Sequence, residues 1–133
     1  MASQPLPILV LVVDDDALIL QSLEHALEDG GYVVAAADGS EHAIEMLNTC
    51  HSEYRAVVTD INMGGDKPTG WDVARHARGL SPDIPVVYVT GESAGEWTAN
   101  GVPHSVLISK PFAPAQVVTA VSQLITAASP PLS

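Results

Sequence analysis

Polar residues whose side chains could take part in a reaction stand directly after four apolar stretches of strand length in this chain. They are three consecutive aspartates after the first stretch and one residue after each of three later stretches: Asp14, Asp15, Asp16, Asp60, Thr90 and Lys110. In open α/β sheets, ligands bind outside the carboxyl ends of the strands, where the strand order reverses. We therefore expect these carboxylates, the hydroxyl and the ammonium group to face one crevice.

Converging carboxylates repel each other, and without a cation one of them would have to take up a proton. A divalent ion removes this conflict, and an all-oxygen ligand set without His or Cys favours Mg²⁺ or Mn²⁺ over zinc. An aspartate beside such an ion can attack phosphorus and form an acyl phosphate. The residue types therefore indicate phosphoryl transfer, with Thr90, Lys110 and loop N–H groups neutralising the developing charge.

Each of these residues taken alone has a simpler interpretation. An acidic run after a strand is commonly the solvated start of a helix, where the helix dipole stabilises negative charge. The five histidines lie on different predicted elements with no shared ligand spacing, so we interpret them as surface or interface residues. It is the placement of all six polar residues at strand ends that favours a functional site.

The elements that must position these residues alternate between strand and helix. Residues 8–13 form a continuous apolar run, typical of a strand buried on both faces, and four more apolar stretches follow. Between them, apolar residues recur at helical spacing; Gly30 and Gly31 end the first helix, Ser40 is predicted to cap the second and Pro114 begins the last. Five strands alternating with helices predict an α/β fold, a parallel sheet with helices on both faces.

One connection departs from this regular pattern. Residues 92–103 contain Gly95 and Gly101 and show little periodicity, so any helix there is expected to be short, and the stretch is expected to have low local stability. Trp71 is predicted to be a core residue, while Trp97 suits either packing or a partner contact. Residues 1–128 are assigned to one domain, and residues 129–133 to a disordered Pro/Ser tail.

Composition excludes several classes of function. Sixteen acidic residues against five basic ones give a net charge of −11, and no basic patch is present, so nucleic acids and anionic membranes are not expected partners. Cys50 is the only cysteine, which rules out an internal disulfide. The first apolar stretch is too short to span a bilayer and lacks the basic flank of a secretory signal, so a cytoplasmic location is expected.

With these residues in view, the sequence resembles the receiver domains of response regulators, which have the flavodoxin-like CheY fold, over about residues 6–127. The resemblance rests on four motifs in the same order and strand context: Val-Val-Asp14-Asp15-Asp16, Val-Val-Thr-Asp60-Ile-Asn-Met, Thr90-Gly91 and Lys110-Pro111-Phe112. It implies a five-stranded parallel sheet in the order 2-1-3-4-5.

The resemblance also implies roles for single residues. Asp14 and Asp15 would hold Mg²⁺, together with Asp60 and the backbone carbonyl of Asn62. Asp60 would accept the phosphoryl group, which Thr90 and Lys110 would bind. The peptide bond between Lys110 and Pro111 is expected to be cis.

Three features differ from the usual receiver pattern. The loop after Asp60 is longer, since Gly70 stands where a glycine normally comes sooner. Leu107 occupies the position where relatives carry the aromatic switch residue. The segment between Thr90 and Lys110 is short and poor in helix formers. These differences leave the phosphorylation chemistry in place and bear on how phosphorylation is transmitted to a partner.

The function implied is that of a single-domain phosphorylation switch. Its donor would be a sensor histidine kinase or a phosphotransfer protein, its output an unidentified downstream protein, and its own state a monomer or weak dimer. It would catalyse only its own phosphorylation and slow dephosphorylation. One alternative is a phosphatase of the haloacid-dehalogenase type, but that class expects an aspartate two residues after the nucleophile, where Asn62 stands. Another is a degenerate receiver that only binds, against which the complete acceptor set argues.

Overall fold

Five parallel strands alternate with helices along the chain, and the computed structural model describes residues 7–63, 68–91, 95 and 97–128. The strands are β1 (Leu9–Val13), β2 (Val33–Ala37), β3 (Tyr54–Asp60), β4 (Val86–Thr90) and β5 (Ser105–Ser109). The helices are α1 (Ala17–Asp29), α2 (Ser40–Cys50), α3 (Gly70–Leu80), the one-turn α4 (Trp97–Asn100) and α5 (Pro114–Ala128), with a 3₁₀ turn at His51–Glu53.

The strands form one sheet in the order β2-β1-β3-β4-β5, which confirms the predicted order. All four pairs are parallel. The chain adds β2 on one side of β1 and β3 on the other, so the order reverses at β1. Val13 lies beside Thr59 in the register of β1 with β3, and therefore Asp14 and Asp60 leave the sheet side by side.

The sheet is covered by helices on both faces, as predicted. Alternate residues of β1 point to opposite sides: Leu11 and Val13 pack with buried residues of α2 and α3, whereas Val10 and Val12 pack with those of α1 and α5. All four side chains are almost completely buried. This two-sided burial explains why the strand is a continuous apolar run rather than an alternating one.

Local signals at helix ends are confirmed in most cases. Asp16 caps α1, since its carboxylate accepts from the backbone N–H groups of the first turn, and Gly30 and Gly31 end this helix, with Gly31 at a φ of 96°. The predicted capping role of Ser40 is wrong. Gly39 is the N-cap, and Ser40 is the first helical residue. The Ser40 hydroxyl does not cap the helix, because it donates to the carbonyl oxygen of Pro68 (2.7 Å), just before α3.

The segment around α4 has more anchors than its sequence suggests. The Tyr88 hydroxyl accepts a hydrogen bond from the Val102 N–H (3.1 Å), and the Trp97 indole N–H donates to the Ser105 hydroxyl (2.9 Å). Arg75 on α3 donates to the backbone carbonyl of Asn100 (3.1 Å). The described part of this segment is therefore tied to both β4 and α3, although its helix has only four residues, as expected.

Three expectations fall wholly or partly outside the described residues: the disordered tail at 129–133, the longer loop after Asp60, at 64–67, and the stretch 92–103, at 92–94 and 96. No helix within the described ranges is long and apolar enough to span a bilayer.

Candidate functional site

Three carboxylates meet at the carboxyl end of the sheet, where β1 and β3 lie side by side. One oxygen each of Asp14, Asp15 and Asp60 lies within 4.8 Å of the others. Asp14 and Asp60 are nearly inaccessible, with 1% and 4% of their surface exposed, while Asp15 is exposed. The cluster therefore has two buried carboxylates and one that opens towards solvent.

Lys110 is the positive charge of this cluster. Its ammonium nitrogen lies 3.4 Å from Asp60 Oδ1 and 3.7 Å from Asp14 Oδ2. Lys110 follows β5, two strands away from β3, and its backbone N–H donates to the Thr90 carbonyl oxygen (2.7 Å), which fixes its approach to the site. The expected cis bond between Lys110 and Pro111 is confirmed. One ammonium group thus faces two buried carboxylates, and the site keeps an excess of negative charge.

The two buried acids both have raised pKa values. The pKa of Asp60 is raised to about 6, first by burial and then by the nearby charge of Asp14, with Lys110 opposing both effects. The pKa of Asp14 is also raised, mainly by burial, against a hydrogen bond from the Asp16 backbone and the charge of Lys110. Both shifts arise first from burial, which disfavours the ionised form of each carboxyl group.

The donor set fits a divalent cation. Asp14 Oδ1 accepts from the Asp16 N–H (2.9 Å), whereas Asp14 Oδ2 is buried with no hydrogen-bond donor in contact. A buried carboxylate oxygen without a donor is costly unless a cation completes its surroundings. The oxygen-only set of Asp14, Asp15 and Asp60 suits a hard cation such as Mg²⁺. The described residues therefore include an acidic group able to hold a metal ion.

The remaining predicted site residues occupy the same end of the sheet. Thr90 is buried, with 1% of its surface exposed, and ends β4 beside β3. Asn62 lies in the exposed turn after β3. Asp16, the third aspartate of the acidic run, is set apart by its use as the cap of α1.

Two residues that contact the acceptor aspartate were not identified from the sequence. The Thr59 hydroxyl donates to the carbonyl oxygen of Asp60 (2.9 Å), and the backbone of Gly70 lies against the same peptide group. For Thr59, the available signal was a threonine inside an otherwise apolar, buried strand. For Gly70, only its displaced position relative to the usual receiver pattern was visible.

Comparison with known proteins agrees with this geometry. The family model "Response regulator receiver domain" matches residues 10–122. The transcriptional regulatory protein PrrA of Mycobacterium leprae is 34% identical over 119 residues, which cover 87% of this chain and 49% of that protein. A response regulator receiver protein from Sinorhizobium medicae has a crystal structure with a TM-score of 0.88 and 44% identity, covering 92% of this chain and 98% of that one. The chemotaxis protein CheY4 of Vibrio cholerae matches with a TM-score of 0.75 and 25% identity, over 90% and 99% of the two chains.

The chain belongs to the response regulator receiver domain family of two-component signalling systems. Its fold is that of the CheY-like receivers, and its acidic cluster fits their phosphorylation site. The alternative of a haloacid-dehalogenase-type phosphatase has no support among these relatives. The chain spans about half the length of the curated relatives it matches, 54% and 49% in two of them.

Proposed function

We propose that Asp60 accepts a phosphoryl group from a phosphohistidine of a sensor histidine kinase or phosphotransfer protein, in a reaction that requires Mg²⁺. The observation that carries this proposal is the meeting of three carboxylates within 4.8 Å, with a buried Asp14 oxygen that lacks a donor and with Lys110 3.4 Å from Asp60. A purely structural salt-bridge cluster would not leave two buried acids to share one partly exposed ammonium group.

Each site residue has a separate role in the phosphoryl transfer. A carboxylate oxygen of Asp60 attacks the phosphorus, a new P–O bond forms, and the P–N bond to the donor histidine breaks with its electron pair on the imidazole nitrogen. The Lys110 ammonium and the Thr90 hydroxyl donate to the phosphoryl oxygens, whose charge is spread over three atoms during transfer. These groups are fixed on neighbouring strand ends, so little reorganisation is needed when the donor arrives.

Asp14, Asp15, Asp60 and the backbone carbonyl of Asn62 are the ligands that we assign to Mg²⁺. The chemistry that Mg²⁺ supplies when bound is neutralisation of negative charge on the acceptor and on the phosphoryl group. Asp15, the exposed member, would contribute its carboxylate oxygen from the solvent side of the site. Asp14, held through Oδ1 by the Asp16 N–H, presents Oδ2 in a fixed direction.

In this proposal the chain is a switch rather than an enzyme acting on an external substrate. It assists its own phosphorylation and slow dephosphorylation and changes its affinity for a downstream protein. Because the curated relatives are about twice as long, the activity of any larger protein that carries such a domain is a separate question.

The test uses acetyl phosphate, a small phosphodonor, with intact-mass measurement. Wild-type protein should gain one phosphate in the presence of Mg²⁺ and none after chelation, and Asp60→Asn should gain none under either condition. Asp38→Asn is the matched control, since Asp38 follows β2 at the same edge of the sheet but is exposed and outside the cluster. An equal gain of phosphate in Asp60→Asn and wild type would overturn the proposal.

A further inference from the structure

The peptide group that joins Asp60 to Ile61 is held by residues outside the acidic cluster. The Thr59 hydroxyl donates to the Asp60 carbonyl oxygen (2.9 Å). The Ile61 N–H donates to the Val89 carbonyl oxygen (3.2 Å), and the Gly70 N–H donates to the Ile61 carbonyl oxygen (2.9 Å). The end of β3 is therefore fixed to β4 and to the start of α3 at the residue that carries the acceptor carboxylate.

Gly70 approaches this peptide too closely for any side chain. A Cβ atom at Gly70 would lie 2.0 Å from the Asp60 carbonyl oxygen and 2.6 Å from Ile61 Cα. These are backbone atoms, which cannot rotate away as a flexible side chain would, so a methyl group there has to displace the peptide. Gly79 in the same helix has no atom within 4 Å of the equivalent position, so within α3 the close approach is confined to Gly70.

Thr59 is completely buried in a strand whose other central residues are apolar. The pairing of β3 with β1 ends at Val13 and Thr59, while its pairing with β4 continues to Asp60 and Val89. The Thr59 hydroxyl supplies a hydrogen bond to the Asp60 carbonyl oxygen at the point where the pairing with β1 stops. Valine has a similar shape and suits a buried strand, but it would remove this donor.

We propose that Thr59 and Gly70 are positioning residues for phosphorylation: together they fix the Asp60–Ile61 peptide so that the acceptor carboxylate faces Asp14, Asp15 and Lys110. This inference rests on the proposed function of Asp60 and adds two residues to it. Displacement of a reacting group by about 1 Å can lower a rate a hundred-fold, so small movements of this peptide matter.

The first test compares Thr59→Val with Thr59→Ser, which keeps the hydroxyl. The readouts are the rate constant for phosphorylation by acetyl phosphate and the Kd for Mg²⁺ from calorimetry, both on protein shown to be folded by circular dichroism. We expect Thr59→Val to lower the rate constant about ten-fold and Thr59→Ser to restore it to within about two-fold of wild type. Thr49→Val is the matched control, because it also removes a hydroxyl bonded to a backbone carbonyl (3.0 Å), but on the exposed side of α2.

The second test uses the two glycines of α3. Gly70→Ala should lower the phosphorylation rate at least as much as Thr59→Val, whereas Gly79→Ala should leave it unchanged. If Thr59→Val does not fold, the comparison of Gly70→Ala with Gly79→Ala still tests whether the position of the Asp60–Ile61 peptide controls the phosphorylation rate.

The outcomes separate this inference from the proposed function. Folded Thr59→Val and Gly70→Ala proteins that are phosphorylated at the wild-type rate would overturn the positioning roles and leave the function of Asp60 intact. A loss in Thr59→Val that Thr59→Ser does not restore would overturn the role of the hydroxyl. Wild-type protein that takes up no phosphate at all would overturn both.

Discussion

Two neighbouring aspartates, Asp15 and Asp16, have different tasks although the sequence presents them as one acidic run. Asp15 offers an oxygen to the cluster with Asp14 and Asp60, whereas Asp16 accepts hydrogen bonds from the Leu18 N–H (2.9 Å) and the Ile19 N–H (3.3 Å) in the first turn of α1. The difference arises because Asp16, three positions after the end of β1, is already at the N-cap of the helix. Sequence reasoning assigned Asp14 and Asp15 to the metal through the family motif; the acidic run alone did not separate Asp16 from them.

This division predicts opposite effects of two alanine substitutions. Asp15→Ala should lose about ten-fold or more in Mg²⁺ affinity and should be at least as stable as wild type in metal-free buffer, because it removes a charge from a repulsive cluster. Asp16→Ala should retain Mg²⁺ affinity and lose about 1 kcal/mol of stability with its cap. Calorimetric titration and urea unfolding measure the two quantities. Unchanged Mg²⁺ binding in Asp15→Ala would contradict the proposed coordination.

Lys110 is expected to stabilise the metal-free protein through the same cluster. Lys110→Met leaves the buried carboxylates of Asp14 and Asp60 without a counter-charge, so its free energy of unfolding in chelator should fall, by roughly 1–3 kcal/mol given that the ammonium is partly exposed. Saturating Mg²⁺ should recover much of this loss, since the ion supplies charge to the same oxygens. Urea unfolding with and without Mg²⁺ tests this, and a variant whose loss is identical in both buffers would argue against a shared site.

At the level of elements, the sequence predicts the alternating strands and helices. It misses features that depend on contacts between residues far apart along the chain. Apolar runs predict all five strands, of which β1, β3 and β4 are largely buried, and the positions of the residues at their ends follow from that. The capping role assigned to Ser40 was wrong because its hydroxyl bonds to Pro68, a contact 28 residues away along the chain that no local pattern reveals. The role we propose for Gly70 escaped notice for the same reason, since it depends on the approach of α3 to the end of β3. The Thr59 hydrogen bond is local, to the next residue, and its signal was a hydroxyl in an apolar strand.

The segment around α4 is the element in which we expect phosphorylation to be transmitted. Leu107 stands at the position where relatives carry an aromatic switch, so burial of an aromatic side chain there is not available. The segment is instead tied to β4, the strand that ends at Thr90, through the Tyr88 hydroxyl and Val102 N–H. A structural change at Thr90 can therefore reach the residues that follow α4 through β4 and the Tyr88 hydroxyl.

This arrangement predicts a response in amide hydrogen exchange. With Mg²⁺ and beryllofluoride, a phosphoryl mimic, protection in the segment 93–103 should rise more than in α5, because its glycines and weak helix propensity predict low local stability in the free protein. The Asp60→Asn variant under the same conditions is the control for binding at the acceptor. Complete protection of the segment before the mimic is added, or a response confined to α5, would contradict this route.

For the whole molecule, charge limits the partners of this chain. A net charge of −11 without a basic patch opposes the phosphate contacts that supply nucleic-acid affinity. One curated relative is a transcriptional regulatory protein about twice as long, so the expectation concerns this chain alone. In fluorescence anisotropy at moderate salt, we expect no binding to duplex DNA in the range of about 10⁻⁶ to 10⁻⁴ M where non-specific binders associate. Salt-sensitive binding in that range would show that net charge is a poor guide here.

The account as a whole depends on Asp60 being the single acceptor, and direct location of the phosphoryl group is the most stringent test of it. Protein phosphorylated in Mg²⁺ is treated with borohydride, which converts an aspartyl phosphate to homoserine, and is then digested and sequenced by mass spectrometry. The account predicts homoserine at position 60 and unmodified aspartate at positions 14 and 15. Homoserine at either of those positions, or its absence at position 60 in protein that carries a phosphate, would contradict it.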